Sequence, residues 1–123
     1  MADVRPLPGI RYTHSADLPI LATPPYDVIS PEAQTGYYER HSENIIRLEL
    51  GRDEPGDNDL NNRYSRAAIT FAEWRLHGIM MQDVPSLYLY QQGFLHQGTF
   101  YRRLSLLARV HLEPWSCGVI LPH

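Results

Sequence analysis

The chain has 123 residues, 43% hydrophobic and 20% charged, with a formal net charge of −3 from 11 basic and 14 acidic residues. That mix is globular rather than disordered, and a chain of this size buries a core without staples. The charge balance offers no broad positive field to a nucleic-acid backbone, which argues against a nucleic-acid partner.

All 11 basic residues are arginines. No lysine is available for a Schiff base or a P-loop, so anion binding falls to Arg, His or backbone N–H groups. Cys117 is the single cysteine, which rules out an internal disulfide and fits a reducing, cytoplasmic compartment. Residues 1–10 lack an apolar signal-peptide region, and no apolar run approaches the ~20 residues of a membrane span, so no membrane partner is expected.

In chain order, residues 4–12 carry Pro6, Pro8 and Gly9 and predict an irregular edge strand at best. Residues 13–23 read as loop. Residues 23–30, with Pro24 and Pro25, then predict a rigid, extended turn. Ser30-Pro31-Glu32 has the pattern of a helix start, with Ser as N-cap and Pro at the first helical position, and a short helix is expected to about Arg40. Residues 44–50 read as a strand, and 51–59, which include Pro55 and Gly56, as a surface loop.

Residues 60–79 predict the main helix. Leu60, Tyr64, Ala67 or Ala68, Phe71 and Trp74 recur at three- and four-residue steps, which would align them on one buried stripe. Asn58 or Asp59 is the expected N-cap and Gly78 the stop. Alternation over residues 87–92 and 103–113 predicts a hairpin turning between Gly93 and Gly98. Leu104, Leu106, Ala108, Val110 and Leu112 form its expected core face, and Pro114 ends it. A further apolar run opens at Val119 and reaches the end of the sequence. The fold expected is α+β, a mixed or antiparallel sheet with a long hairpin, packed on one main helix plus a short helix. It forms a single domain over residues 1–123, read as the N-terminal segment of a longer architecture.

Self-contained active-site motifs are missing from the sequence. The six histidines show no HxH or HExxH spacing, so no metal site is predicted. GxSxG, P-loop and dinucleotide-glycine patterns are absent. Asp27 sits in the proline-braced turn, where it is either a mounted functional carboxylate or a turn residue accepting backbone N–H bonds. Tyr26 beside it reads as a core residue whose hydroxyl finds a partner. Arg47 either grips an anion or pairs with Glu49 or a neighbouring acid. Arg102 and Arg103 on the hairpin are either an anion handle or edge-protecting charges.

Several blocks in register carry a resemblance. They are Val4-Arg5-Pro6 with Gly9-Ile10-Arg11-Tyr12; Pro24-Pro25-Tyr26-Asp27-Val28-Ile29-Ser30; Asn44-Ile45-Ile46-Arg47-Leu48; the helix with Tyr64, Ala67 and Trp74; residues 85–92; and Val119 to His123. In this order they resemble the family called domain of unknown function 1015. Members of that family continue into a domain bearing a DGHHR-type motif, absent from this sequence, that is similar to the phosphate-binding box of ParB-like proteins and free-serine kinases. The resemblance implies an ATP-dependent kinase of a small amino acid such as free serine, incomplete in this chain, with ATP and Mg²⁺ as cofactors and a small-molecule substrate. By the same resemblance, Asp27 would help hold Mg²⁺ or orient the serine hydroxyl. Tyr26 and Arg47 would contact substrate or phosphate, and His123 would border the shared cleft. Leu104 stands where the family pattern leads one to expect glycine. The alternative is a non-catalytic binding or scaffold domain, including a homodimer joined through the hairpin edge.

Overall fold

The structure is a computed structural model that describes residues 1–14 and 17–120. In chain order its elements are β1 (Val4–Arg5), β2 (Ile10–Tyr12), α1 (Leu18–Leu21), α2 (Pro31–Arg40), α3 (Ile46–Glu49), α4 (Arg63–Leu76), β3 (Met80–Gln82), β4 (Tyr88–His96), β5 (Thr99–Leu107) and β6 (Arg109–Val110). Helices and small two-stranded sheets make this an α+β fold. The chain divides into two compact units, residues 11–81 and residues 1–10 with 82–123. The long hairpin falls in one unit and the main helix in the other. Val119 and Ile120 form no strand, and the rest of the expected terminal run, Leu121 to His123, lies outside the described residues.

The helical unit holds the buried hydrophobic residues Leu21, Ile46, Trp74 and Met80. Fully burying a side chain of the size of Ile46 stabilises by about 1.5–3 kcal/mol. The Tyr12 ring lies 6.0 Å from that of Trp74, and its hydroxyl donates to the Glu43 carbonyl at 2.7 Å. Burial, followed by the nearby Glu43 charge, pushes the Tyr12 phenol up to about 12.

Within α2 the expectation holds. Pro31 opens it, and the Ser30 Oγ accepts from the Ala33 N–H at 3.2 Å. The main helix is shorter than its pattern. It starts at Arg63 because Asn62, not Asn58 or Asp59, caps it: the Asn62 Oδ1 accepts from Tyr64 and Ser65 N–H groups, and the Ser65 Oγ accepts in return from the Asn62 N–H. Asn58 instead turns the preceding loop, its Oδ1 accepting from Leu60 and Asn61. Leu60 therefore lies outside the helix and is exposed, as is Tyr64, while Trp74 anchors the buried stripe. Helix α4 ends at Leu76, and Gly78 takes the left-handed backbone, φ 72°, that releases the chain.

Residues 44–50 are a correction. They form the short helix α3 and not a strand. Asn44, completely buried, turns the chain by accepting the Ile46 N–H on its Oδ1 at 3.0 Å. Helical bonds from Leu48 and Glu49 to the Ile45 carbonyl follow. The expected loop over 13–23 also contains a short helix, α1, with Pro19 in its first turn and Asp17 at the N-cap position without a side-chain capping bond. The proline-braced turn closes as a 3₁₀ turn over Tyr26–Val28 rather than an extended one.

In the hairpin unit, β4 and β5 pair antiparallel from Tyr88↔Leu107 to His96↔Thr99. The reversal takes two residues, Gln97 at φ 48° and Gly98 at φ 77°, much tighter than the expected six-residue turn. Two consecutive positive φ values are those of a type I′ turn, whose twist matches the strands. Leu104 pairs in regular register with Gln91, so the ladder continues unbroken past the position where glycine was expected. At Gly93 an added Cβ would stand 2.7 Å from the tip of the exposed Phe100 ring, so the ring lies over this position and would have to swing aside for a side chain. The expected core face of the hairpin is exposed, with Leu104 at 58% and Leu106 at 61%. The alternation marks the two strands but neither locates their turn nor buries a face. The second long strand also stops at Leu107, after which β6 pairs with the edge strand β1.

Candidate functional site

The site is built from α2, α3 and the segment that enters α4. Arg47 leaves α3 and donates from Nε to the Ser42 carbonyl at 2.7 Å and from Nη2 to the Tyr38 carbonyl at 3.0 Å. It thereby caps the C-terminal end of α2 with a positive charge. Its guanidinium carbon also lies 4.5 Å from the centroid of the Tyr38 ring, and that of Arg52 lies 4.2 Å from the same centroid. The strand-borne salt bridge to Glu49 considered for Arg47 does not form: Glu49 instead accepts from the Thr23 hydroxyl.

The Arg52 segment is held from two directions. The Tyr38 hydroxyl accepts the Arg52 N–H at 3.1 Å, and the Arg52 carbonyl accepts from Arg66 Nη2 at 2.8 Å. Arg66 also grips Asp57 with both terminal nitrogens, at 2.6 and 2.9 Å. This bidentate pair, followed by the Glu54 N–H donated to the same carboxylate, lowers the Asp57 carboxyl to about 2. The polar 51–59 loop is thus fastened to α4 by a side chain whose spacing in sequence gave no sign of it.

Three neighbouring cavities of about 130, 400 and 430 Å³ share Gly51 and Arg63 in their walls. The smallest is lined by Arg47, Arg52, Arg63 and Arg66 with Tyr38, Thr70 and one carboxylate, Glu54; the largest by Tyr26, Tyr64 and Ala67 among others. A Cβ on Gly51 would come within 3.2 Å of the Arg63 Cβ and 3.3 Å of the Arg63 carbonyl. Glycine is what lets this strip of backbone lie against the first turn of α4.

Of the residues expected at a site, Tyr26 and Arg47 line cavities that share two wall residues. Tyr26 is not a core residue: it is 61% exposed on the 3₁₀ turn. Asp27, next to it, is exposed, and its carboxylate has no hydrogen-bond or ion-pair partner among the described residues. The backbone N–H bonds that a turn aspartate would accept are not made. His123 lies outside the described residues.

Sequence reasoning missed Arg52, Arg63 and Arg66, whose only signal was the density of arginine around a loop rich in Gly, Asp and Asn. It also missed that His14, His41 and His77 line one cavity of about 320 Å³ with Tyr12 and Glu43. Among the described residues, no group of three or more His, Cys, Asp or Glu is placed to hold a metal ion. Arg102 and Arg103 stand opposite Gly93 and Gln92 on the exposed hairpin. No helix among the described residues is long and apolar enough to cross a membrane.

No curated protein and no solved structure matches the chain. Residues 4–123 match the family model described as "Protein of unknown function (DUF1015)", and the chain belongs to that family.

Proposed function

We propose that this chain supplies the charge-neutralising part of a cytosolic ATP-dependent kinase of a small amino acid such as free serine. The observation that carries the reading is the placement of Tyr26, beside the unpartnered Asp27, and of Arg47 on cavities that share Gly51 and Arg63. Phosphoryl transfer asks a protein mainly for positioning and for compensation of phosphate charge, and this groove is rich in guanidinium groups.

In this reading Arg47 and its arginine neighbours receive phosphate charge, Tyr26 borders the substrate, and Asp27 orients the acceptor hydroxyl. Mg²⁺ is commonly held by one or two carboxylates with the rest of its shell from phosphates and water, and the unpartnered Asp27 suits that mode. Bound there, Mg²⁺ with ATP would supply the transferable phosphoryl group and screen its charge. The lone cysteine supports the cytosolic placement.

The test is direct. The complete gene product, incubated with ATP and L-serine, is expected to yield ADP and phosphoserine. Asp27→Ala should slow turnover by roughly a hundredfold or more if the carboxylate works on the reacting hydroxyl. Equal turnover by the variant removes Asp27 from the mechanism. If the parent protein forms no phosphoserine but still binds ligand saturably, the non-catalytic binding reading takes its place.

A further inference from the structure

We infer that the 130 Å³ cavity between Tyr38 and α4 is a binding site for a single phosphate-type oxyanion, with Arg52 as its principal cationic ligand. The site stands on its own geometry, and it deepens the proposed kinase reading by naming what that end of the groove receives.

The argument begins with charge. Four arginines and one carboxylate, Glu54, line the cavity, which leaves an excess of positive charge. Arg66 is neutralised by Asp57 at 2.6 Å and has Glu54 at 3.7 Å, while Arg63 donates to the Tyr64 hydroxyl and reaches Asp53 only at 3.5 Å. Arg47 donates two of its five N–H groups to the Ser42 and Tyr38 carbonyls and has no carboxylate partner among the described residues. Arg52 is the most available. Its guanidinium lies over the Tyr38 ring and has neither a carboxylate nor a hydrogen-bond acceptor among the described residues. Two uncompensated cations on one aromatic ring repel each other, and a dianion beside them removes the conflict.

Size narrows the class. A water molecule occupies about 30 Å³ of liquid, so the cavity has room for roughly four waters. That suffices for one tetrahedral oxyanion or a terminal phosphoryl group and is too small for a nucleoside, whose kind of site starts near 300 Å³. The Thr70 side chain in the same wall brings a hydroxyl suited to an anion oxygen. Preorganisation supports the same conclusion: Tyr38 holds the Arg52 N–H and Arg66 its carbonyl, so the Arg52 backbone is already fixed from both sides.

The experiment is calorimetric titration of the complete gene product with inorganic phosphate at constant low ionic strength, with acetate and L-serine as parallel arms. Saturable phosphate binding in the millimolar range or tighter is expected. Arg52→Gln should weaken it roughly ten- to a hundredfold, the range of one charge-assisted hydrogen bond. Arg52→Lys, which keeps the charge, should recover part of the loss. The unfolding midpoint of Arg52→Gln in phosphate-free buffer should fall by no more than about 4 °C, because the hydrogen bonds to Tyr38 and Arg66 use the Arg52 backbone and only the stacking of the guanidinium on the Tyr38 ring is lost. Absence of saturable binding, or equal affinity in Arg52→Gln, overturns the site. Acetate or L-serine binding as tightly as phosphate overturns the phosphate assignment in favour of a carboxylate. A protein that binds phosphate in this Arg52-dependent way and forms no phosphoserine keeps the site and loses the kinase reading.

Discussion

Replacing Asn44 with alanine removes two hydrogen bonds at once, because this side chain works in both directions from a fully buried position. Its Nδ2 donates to the Ile20 carbonyl at 2.7 Å, and its Oδ1 accepts the Ile46 N–H at 3.0 Å. The Ile46 N–H is buried, so leaving it unpaired costs about 1–3 kcal/mol. Ile20 is partly exposed, and its carbonyl can turn to water, so that bond is worth an ordinary ~0.5–1.5 kcal/mol. Together the loss is about 1.5–4.5 kcal/mol, and at roughly 4 °C per kcal/mol for a chain of this size the midpoint should fall by roughly 6–18 °C. Circular dichroism at neutral pH reads it.

Asn44→Asp separates the two bonds. The carboxylate keeps the acceptor for Ile46 but faces the Ile20 carbonyl with a second acceptor and carries a buried charge. It should be less stable than alanine at neutral pH. Its carboxyl should sit above the ordinary range when folded, so the variant gains stability as pH falls and the aspartate protonates. An alanine variant within about 0.5 kcal/mol of the parent, a change typical of an unimportant surface position, would refute the role given to Asn44 in starting α3 and placing Arg47.

Two further outcomes follow from the same elements. Asn62→Ala removes the acceptor for two N–H groups at the start of α4 and should cost about 1 kcal/mol in urea unfolding; an unchanged midpoint with an unchanged slope would deny it the capping role. The Asp57 carboxyl is lowered to about 2 by Arg66 and the Glu54 N–H, so its contribution to stability is fully present above the ordinary carboxylate range and is lost as pH falls through about 2. Asp57→Asn should accordingly be less stable than the parent at pH 7, and the gap should close towards pH 2. A gap independent of pH would show that ionisation of Asp57 does not hold the 51–59 loop.

Local chemistry accounts for what the sequence determined by itself. Ser30-Pro31 specifies a helix start through groups a few residues apart, and α2 begins there. Alternation from Tyr88 onward specifies a hairpin, though it confines the turn only to the Gly93–Gly98 stretch, most of which the strand β4 takes up. The family blocks were legible for the same reason, as fixed residues at fixed spacing, and they identified the family over nearly the whole chain.

Tertiary structure decided the rest. The apolar string Ile45, Ile46, Leu48 and Leu50 suits a strand as well as a buried helical turn; Asn44 turns the chain locally through the Ile46 N–H, and its second bond, to the Ile20 carbonyl, is a contact no window around residue 44 contains. Asn62 won the cap of α4 over Asn58 and Asp59 because the loop between them folded on itself around Asn58. The arginine cavity gathers side chains from α3, the 51–59 loop and α4, and it exists only once Gly51 lies against Arg63 and Asp57 has neutralised Arg66. Which arginines pair and which keep an unspent charge depends on distances across those elements, and composition alone does not contain them.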